Sequence, residues 1–314
     1  MSKLPHALSI LAFPILMSAP MFGSGGSGQG SASVVVVASP GVEAHRAAVE
    51  GIEAAMAKTG FQVRVLELND ARTLLASGVA LGTPGTRAII AIGSEALEIV
   101  TSGHPAVPVI CTMVLHHTAD KNLSLSGAAT TVSLDIAIED MAARLKQLFP
   151  EKTRLGIIRN PASARCTSAQ LQARAQPLGF TVRVVDVARP EHLLPALVAL
   201  KGQVDFVWCV PDGLLYNSVT IKPLILASLE NRLPLIGFSE SFARAGAALG
   251  VYPDFRDIGV QTGEAARQII ENQPVRVPDG PRKLRLAVNQ SVLRLLGLRY
   301  ASAATGHEDL LILR

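Results

Sequence analysis

Residues 60–65 read Gly-Phe-Gln-Val-Arg-Val, and residues 179–184 read Gly-Phe-Thr-Val-Arg-Val. Each copy starts with a glycine of the kind that ends a helix and continues as a short, Val-rich strand. The elements around the two copies follow the same order, in which apolar strands alternate with amphipathic helical stretches. This alternation indicates βαβ units and a parallel sheet. The repeat therefore predicts an α/β protein with two doubly wound parallel-sheet lobes.

The strands behind this prediction are short apolar runs. In the first lobe they are 34–38, 61–68, 88–93 and 107–114, and in the second lobe 155–160, 180–187, 205–211 and 233–239.

Hydrophobic residues form 49% of the 314 residues and charged residues 17%, which excludes a disordered chain, a coiled coil and a collagen-like repeat. The 29 basic residues barely exceed the 25 acidic ones, so we expect no nucleic-acid partner.

The first residues have the layout of an export signal. Lys3 precedes an apolar run from Ala7 to Met17, and small residues follow it. We predict a cleaved signal peptide over residues 1–22, a Gly/Ser linker over 23–33 and a periplasmic protein. The alternatives are a mispredicted start or a membrane-anchored N-terminus, and the cleavage site stays open. The linker matches G-x-G-x-x-G only by letter, because a nucleotide-binding motif needs a strand before it and a helix after it.

Candidate ligand contacts lie at the carboxyl ends of the predicted strands, where open parallel sheets bind ligands. They are Ser39, Ser94 and Thr112 in the first lobe, and Asn160, Asp212, Ser239 and Glu240 in the second. Several have a purely local alternative: the serines as helix caps, Asn160 as a turn residue and Glu240 as a solvent-facing cap. Asp212 stands apart, because the apolar run before it places a carboxylate at the mouth of the predicted cleft.

The sequence gives no support for catalysis, a cofactor or a metal. Residues 237–241 have Ser where a nucleophile elbow needs its second Gly, and no predicted strand ends in a His that could serve as a base. His116, His117 and Asp120 are more typical of a surface loop than of a metal site. The cysteines are too few for a disulfide framework, and their state is left open: Cys111, Cys166 and Cys209.

Several segments resemble a known family. They include AIIAIGSEAL from Ala88, GQVDFVWCVPDG from Gly202 and LRLAVNQSVLRLLGL from Leu284, and the most specific lies between Ala245 and Ile270. Together they resemble ABC-transporter substrate-binding proteins of the type I periplasmic fold, in the branch that includes tryptophan- and tyrosine-binding members. The resemblance extends from Val34 to Leu298.

The resemblance implies two lobes joined by a three-stranded hinge. We expect residues 34–132 and 252–280 in the first lobe, and 133–251 and 281–314 in the second. It places Ser94, Asn160 and Asp212 in the cleft, and Tyr252 and Asp254 near the last crossing. Residues 239–241 read Ser-Glu-Ser where the family often has an Asp, and Gly213 stands where an Asn is usual. Because of these two differences from the family's usual sequence, the amino-acid specificity of the better-known members does not carry over directly to this chain.

These observations together predict a monomeric solute-binding protein that delivers a small polar or zwitterionic molecule, such as an amino acid, to the permease of an ABC importer. Ser94 and nearby backbone N–H groups would hold an anionic end, and Asp212 a cationic or hydroxyl-bearing end. Tyr216, Phe238 and Tyr252 are the expected stacking partners. A sensory protein that reports to a membrane receptor is the main alternative, and an enzyme on the same fold is a weaker one.

Overall fold

The computed structural model describes residues 32–39, 41–57, 59–114, 129–301 and 309–314, and its strands form two sheets. The first sheet has five strands, all parallel, in the order β2-β1-β3-β4-β5. Its strands are β1 (Ser33–Ala38), β2 (Gln62–Glu67), β3 (Thr86–Ile92), β4 (Val109–Thr112) and β5 (Ala129–Val132).

The second sheet has seven strands in the order β12-β11-β10-β9-β8-β6-β7, and only the pair β10–β11 is antiparallel. Its strands are β6 (Arg154–Arg159), β7 (Thr181–Asp186), β8 (Phe206–Cys209), β9 (Leu235–Gly237), β10 (Leu249–Pro253), β11 (Leu284–Asn289) and β12 (Leu310–Leu313). The order β7-β6-β8-β9-β10 repeats that of the first sheet, and β11 and β12 extend it.

Helices separate the strands in both parts of the chain. They are α1 (Glu43–Met56), α2 (Leu68–Ala76), α3 (Ser94–Ser102), α4 (Ile138–Leu148), α5 (Ser168–Ala175), α6 (Leu193–Ala199), α7 (Ile221–Glu230), α8 (Glu240–Ala245), α9 (Phe255–Ile270) and α10 (Gln290–Leu295). Short 3-10 turns occupy Pro161–Ser163, Gln176–Leu178 and Pro190–His192.

The repeated hexapeptide forms the edge strand of the five-strand repeat in each sheet. Gly60 and Gly179 both have a positive φ, of 76° and 81°, a backbone conformation that glycine adopts without steric cost. Each is followed by the strand, β2 or β7, that pairs with the first strand of its lobe. The sequence repeat is therefore a structural repeat, and the prediction of two doubly wound α/β lobes is confirmed.

Both sheets are covered by helices on both faces, as alternation along a strand requires. In β1, Val34 and Val36 pack towards α1 and α9, whereas Val35 and Val37 pack towards α2 and α3. In the second sheet, one core lies under α4, α5 and α10, and the other lies under α6, α7 and α8. We call the first sheet with α1–α3 and α9 the first lobe, and the second sheet with the remaining helices the second lobe.

Three described segments connect the lobes, at residues 133–137, at Asp254 and at residues 271–283. The second of them leads into α9, which returns to the first lobe and packs along α1. At the third, a Cβ built on Gly280 would lie 2.5 Å from the carbonyl oxygen of Asp135 in the first segment, so these two connections run close together. Exact lobe boundaries remain a prediction.

The structure differs from the sequence predictions mainly at element ends. The first strand begins at Ser33, inside the predicted linker, because Ser33 pairs with Gln62 in the ladder between β1 and β2. The predicted signal peptide, most of the linker and the His116–Asp120 cluster lie outside the described residues.

Candidate functional site

A cavity of about 620 Å³ opens at the carboxyl ends of the second sheet. The ends of β6 and β8 and the residue after β9 contribute Asn160, Asp212 and Phe238 to its wall. The first and third connections between the lobes also border it, through Asp135 and Asp279, and Pro253 and Phe255 border it on either side of the second connection. The cavity thus lies on the second lobe, at the place where the chain crosses to the first.

The mouth of the cavity carries a network of polar side chains. Asn160 is 9% exposed, and its Oδ1 accepts a hydrogen bond from the backbone N of Ala162 at 3.0 Å. Its side-chain amide donates to no described residue. Asp212 is 6% exposed and accepts a hydrogen bond from Ser163 Oγ at 2.9 Å. These groups give the cavity donors and acceptors beside the strand ends.

Asp212 is engaged more fully than its sequence position indicated. Its Oδ1 accepts from the backbone N of Leu214 at 2.9 Å and from that of Leu215 at 3.0 Å. Its Oδ2 accepts from Ser163, and no described cation pairs with the carboxylate. Three donors therefore already bind the carboxylate when no ligand is present. Asp212 organises the turn after β8 as well as bordering the cavity.

The deeper part of the cavity is apolar. It extends along the face of the second sheet that α4 and α5 cover, where Ile138, Ile157, Leu171, Trp208 and Val251 border it. Trp208 is the chain's single tryptophan and is 5% exposed. Sequence reasoning missed Trp208 because it lies inside a strand and not at its end. Its one available signal was its position one residue before the end of the apolar strand β8, on the same face as Phe206.

Trp208 has an unsatisfied donor. The indole Nε1 is buried and makes no hydrogen bond to any described residue. A buried indole N–H usually finds an acceptor, since leaving one unpaired costs about 1–3 kcal/mol. The chain thus holds an unpaired donor in a side chain that borders its cavity.

The arginines at the cavity are neutralised by carboxylates. Arg159 Nε contacts Asp186 Oδ1 at 2.8 Å, and Arg165 Nη1 contacts Asp135 Oδ2 at 3.3 Å. Arg174 contacts both carboxylate oxygens of Glu139, at 2.6 and 2.8 Å. Burial tends to raise the pKa of Glu139, but the hydrogen bonds from Arg174 outweigh it and hold that pKa below its usual value. The described wall therefore offers no strong anion site of uncompensated arginines.

The strand ends of the first lobe do not border this cavity. Ser94 is exposed and is not a cap, since Gly93 holds the N-cap position of α3 without a side-chain bond. Ser39 is half-buried, and Val42 occupies the N-cap position of α1. Thr112 is fully buried, and its Oγ1 makes no hydrogen bond to any described residue.

His45, which sequence reasoning did not consider, lies beside these strand ends. Its ring packs against Gly93: a Cβ built on that glycine would lie 2.9 Å from His45 Cε1. Burial lowers the pKa of His45, so the neutral imidazole is favoured.

The remaining predicted site residues have structural partners outside the cavity. Ser239 Oγ caps α8 by accepting from the backbone N of Phe242, and Glu240 pairs with Arg244 at 2.6 Å. Burial, assisted by the Glu240 carboxylate, raises the pKa of Tyr252. Asp254 caps α9 and pairs with Arg285 at 2.8 Å. The structure thus brings Asn160 and Asp212 together at the cavity, with the expected stacking partners Tyr216 and Phe238 also in its wall. The third expected stacking partner, Tyr252, and the other predicted contacts lie outside that wall.

Within the described ranges no group of three or more His, Cys, Asp or Glu side chains could hold a metal ion, and no helix is long and apolar enough to cross a membrane.

No disulfide joins the three cysteines. Cys111 and Cys209 are buried in strands, whereas Cys166 is half-buried and borders the cavity. Burial raises the pKa of Cys209 to about 12, which keeps it protonated at neutral pH.

The comparisons with known proteins agree with this architecture. Residues 32–305 match the family described as ABC transporter substrate binding protein. A tyrosine-binding protein of Clostridioides difficile (strain R20291) is 22% identical over 226 residues, which cover 68% of this chain and 64% of that protein. The match therefore spans less than two thirds of that relative's length.

Solved structures show the same fold at low sequence identity. A ligand-free, open substrate binding protein with adhesive properties from Clostridium difficile superposes with a TM-score of 0.59 at 16% identity, over 90% of this chain and 99% of its own. An ABC domain in complex with L-Trp from Streptococcus pneumonia gives 0.56 at 16% identity, over 90% of this chain and 100% of its own.

Proposed function

The chain belongs to the family of ABC transporter substrate binding proteins, and on this premise we propose that it captures a small organic solute in the cavity of the second lobe and delivers it to an ABC importer. The observation that carries the proposal is the cavity itself. It combines hydrogen-bonding groups at the strand ends with an apolar interior, the usual composition of a site for a small molecule.

The cavity favours a solute with one polar end and one apolar part. Asn160 and the network around Asp212 supply polar contacts at the mouth, whereas the interior is bordered by Ile157, Trp208 and Val251. An amino acid with an apolar side chain, or a related compound, meets both demands. The names of the relatives, which bind tyrosine and L-Trp, support the same class.

We further propose export to the periplasm as a monomer, with a permease as the membrane partner. The basic and apolar start of the sequence supports export, and membership of this family supports a permease partner. Hinge motion at the three connections would close the cavity over its solute, because contacts with both lobes favour a closed state.

The test has two stages. Purified protein is screened by thermal shift against amino acids, short organic acids and nucleosides; a solute at 100 times its dissociation constant adds about 2.7 kcal/mol of stability. Uptake of the resulting radiolabelled solute is then compared in the native host with and without the gene. We expect a stabilising solute and slower uptake in the deletion strain. Failure of the whole panel to stabilise the protein would contradict solute binding, and normal uptake would contradict delivery.

A further inference from the structure

The apolar interior of the cavity contains a hydrogen-bond donor without an acceptor among the described residues, the indole N–H of Trp208. Trp208 is buried on the central strand β8, between Ile157 on β6 and Ile236 on β9. Its immediate strand partners are aliphatic and offer no side-chain acceptor. Nε1 finds none elsewhere among the described residues. An acceptor for this donor therefore has to come from outside the described part of the chain.

The cavity is the route by which such an acceptor can arrive. Trp208 borders it together with Ile138 and Leu171, whose side chains carry no acceptor. The Asp212 carboxylate is held at the mouth by its three donors. Nε1 itself is covered in this conformation, so the contact also requires a small movement of the indole or of a side chain over it.

From this geometry we infer that the apolar part of the solute carries a hydrogen-bond acceptor, such as a carbonyl or hydroxyl oxygen, which accepts from Trp208 Nε1. The inference rests on the proposed function and narrows its solute class. A purely hydrocarbon side chain would fill the interior and leave the indole donor unpaired. A solute with an acceptor at that end would satisfy the donor and gain selectivity over the hydrocarbon, because an unmade buried hydrogen bond is costly.

The test uses two fragments of the same shape. Acetophenone has a carbonyl oxygen where α-methylstyrene has a CH₂ group, and neither carries a hydrogen-bond donor. Protein labelled with ¹⁵N-tryptophan gives a single indole resonance, because the chain has one tryptophan. We expect both fragments to perturb the methyl resonances of Ile138 and Ile157, but only acetophenone to move the indole proton downfield.

Substitution of Trp208 provides the second measurement. Trp208→Phe removes the donor and keeps an aromatic ring in the wall. Acetophenone should bind about three- to tenfold more weakly to this variant than to the wild type, whereas the affinity of α-methylstyrene should change less than about twofold. The hydrocarbon thus serves as the control for changed packing.

Each outcome bears on the inference. An indole proton that moves equally with both fragments, or equal losses of affinity in Trp208→Phe, would overturn it. Fragments that bind without perturbing Ile138 or Ile157, or that do not bind at all, would overturn it as well. If the fragments give one of these results, a solute identified by the thermal-shift screen and the uptake assay could still bind at the mouth of the cavity. Conversely, fragments could bind as expected in a protein that fails the uptake test, so the two failures are distinguishable.

Discussion

Two helix pairs occupy comparable positions in the lobes and are packed in different ways. In the first lobe, α1 and α9 meet backbone to backbone: a Cβ built on Gly51 would lie 2.0 Å from the carbonyl oxygen of Arg256, and one on Gly259 would lie 1.9 Å from that of Ala48. In the second lobe, the exposed ion pair between Glu139 and Arg174 links α4 to α5. The cavity lies beside the second pair.

The difference in packing determines which helix pair can border a cavity. Helices that approach as closely as α1 and α9 leave no space for a ligand between them. The looser pair, α4 and α5, contributes Ile138 and Leu171 to the cavity wall. The lobes therefore share one strand order but differ in packing: one has a close-packed helix pair, and the other holds the cavity that we propose as the binding site.

The largest effect is expected where the first pair is closest. Gly259→Ala should cost about 3 kcal/mol of unfolding free energy or more, because the new methyl group clashes with backbone and α9 has to move. Urea unfolding measures this loss. Gly41→Ala is the control and should change stability by about 0.5 kcal/mol at most, since a Cβ there meets nothing within 4 Å. Equal stabilities for the two variants would refute the close-packing account.

A second comparison concerns the strand ends. Asp212→Ala should lower the free energy of unfolding by about 2–3 kcal/mol, because the N–H groups of Leu214 and Leu215 lose their charged acceptor. Ser94→Ala, at the corresponding end of the first lobe, removes an exposed side chain without a capping bond and should change stability by about 0.5 kcal/mol at most. Denaturation of both variants without ligand tests this. An Asp212→Ala protein as stable as the wild type would mean that the turn does not depend on the carboxylate.

The lobes should also lose stability in different pH ranges. Burial lowers the folded-state pKa of His45 below its ordinary value of 6.5, so the unfolded chain binds more protons and stability falls as the pH drops below about 6.5. In the second lobe, burial tends to raise the pKa of Asp205, but hydrogen bonds from Arg154 and from the backbone N–H groups of Thr153 and Arg154 outweigh it and hold the pKa below 3.8. That contribution is lost only below about pH 3.8.

The two ranges can be separated by substitution. Melting temperatures from pH 8 to pH 3 should show that His45→Gln flattens the decline between pH 7 and pH 5, whereas Asp205→Asn flattens only the decline below about pH 4. An unchanged slope between pH 7 and pH 5 in His45→Gln would contradict the buried, neutral imidazole.

The smallest effect belongs to the second helix pair. Glu139→Gln breaks an ion pair whose side chains are 40% and 44% exposed, so it should cost only about 0.2–1 kcal/mol. The comparison is with Gly259→Ala under the same conditions. A loss in Glu139→Gln as large as that in Gly259→Ala would show that the two pairs are equally important for stability.

The sequence predicts the fold well because the strand and helix signals occur twice. The Val-rich run of β1 and the hexapeptides that lead into β2 and β7 are local signals, and such patterns can be read directly from the sequence. The placement of Asn160 and Asp212 follows from the strand-end rule. Trp208 and the role of α4 and α5 could not be predicted in this way. Both depend on how α4 and α5 pack on the face of the second sheet. That packing is set by contacts between residues far apart in the sequence, which no local pattern encodes.

Fluorescence of Trp208 tests the central claim, that the solute binds in the cavity of the second lobe, most directly. The single tryptophan reports on that cavity without labelling. Titration with a solute found by thermal shift should change the Trp208 emission saturably, with the dissociation constant that calorimetry gives. In a Trp208→Phe protein that carries Ser94→Trp, the reporter lies at the first-lobe strand end instead. An unchanged Trp208 emission at saturation would contradict the account, and a response of the Ser94→Trp reporter in that case would place the solute on the first lobe.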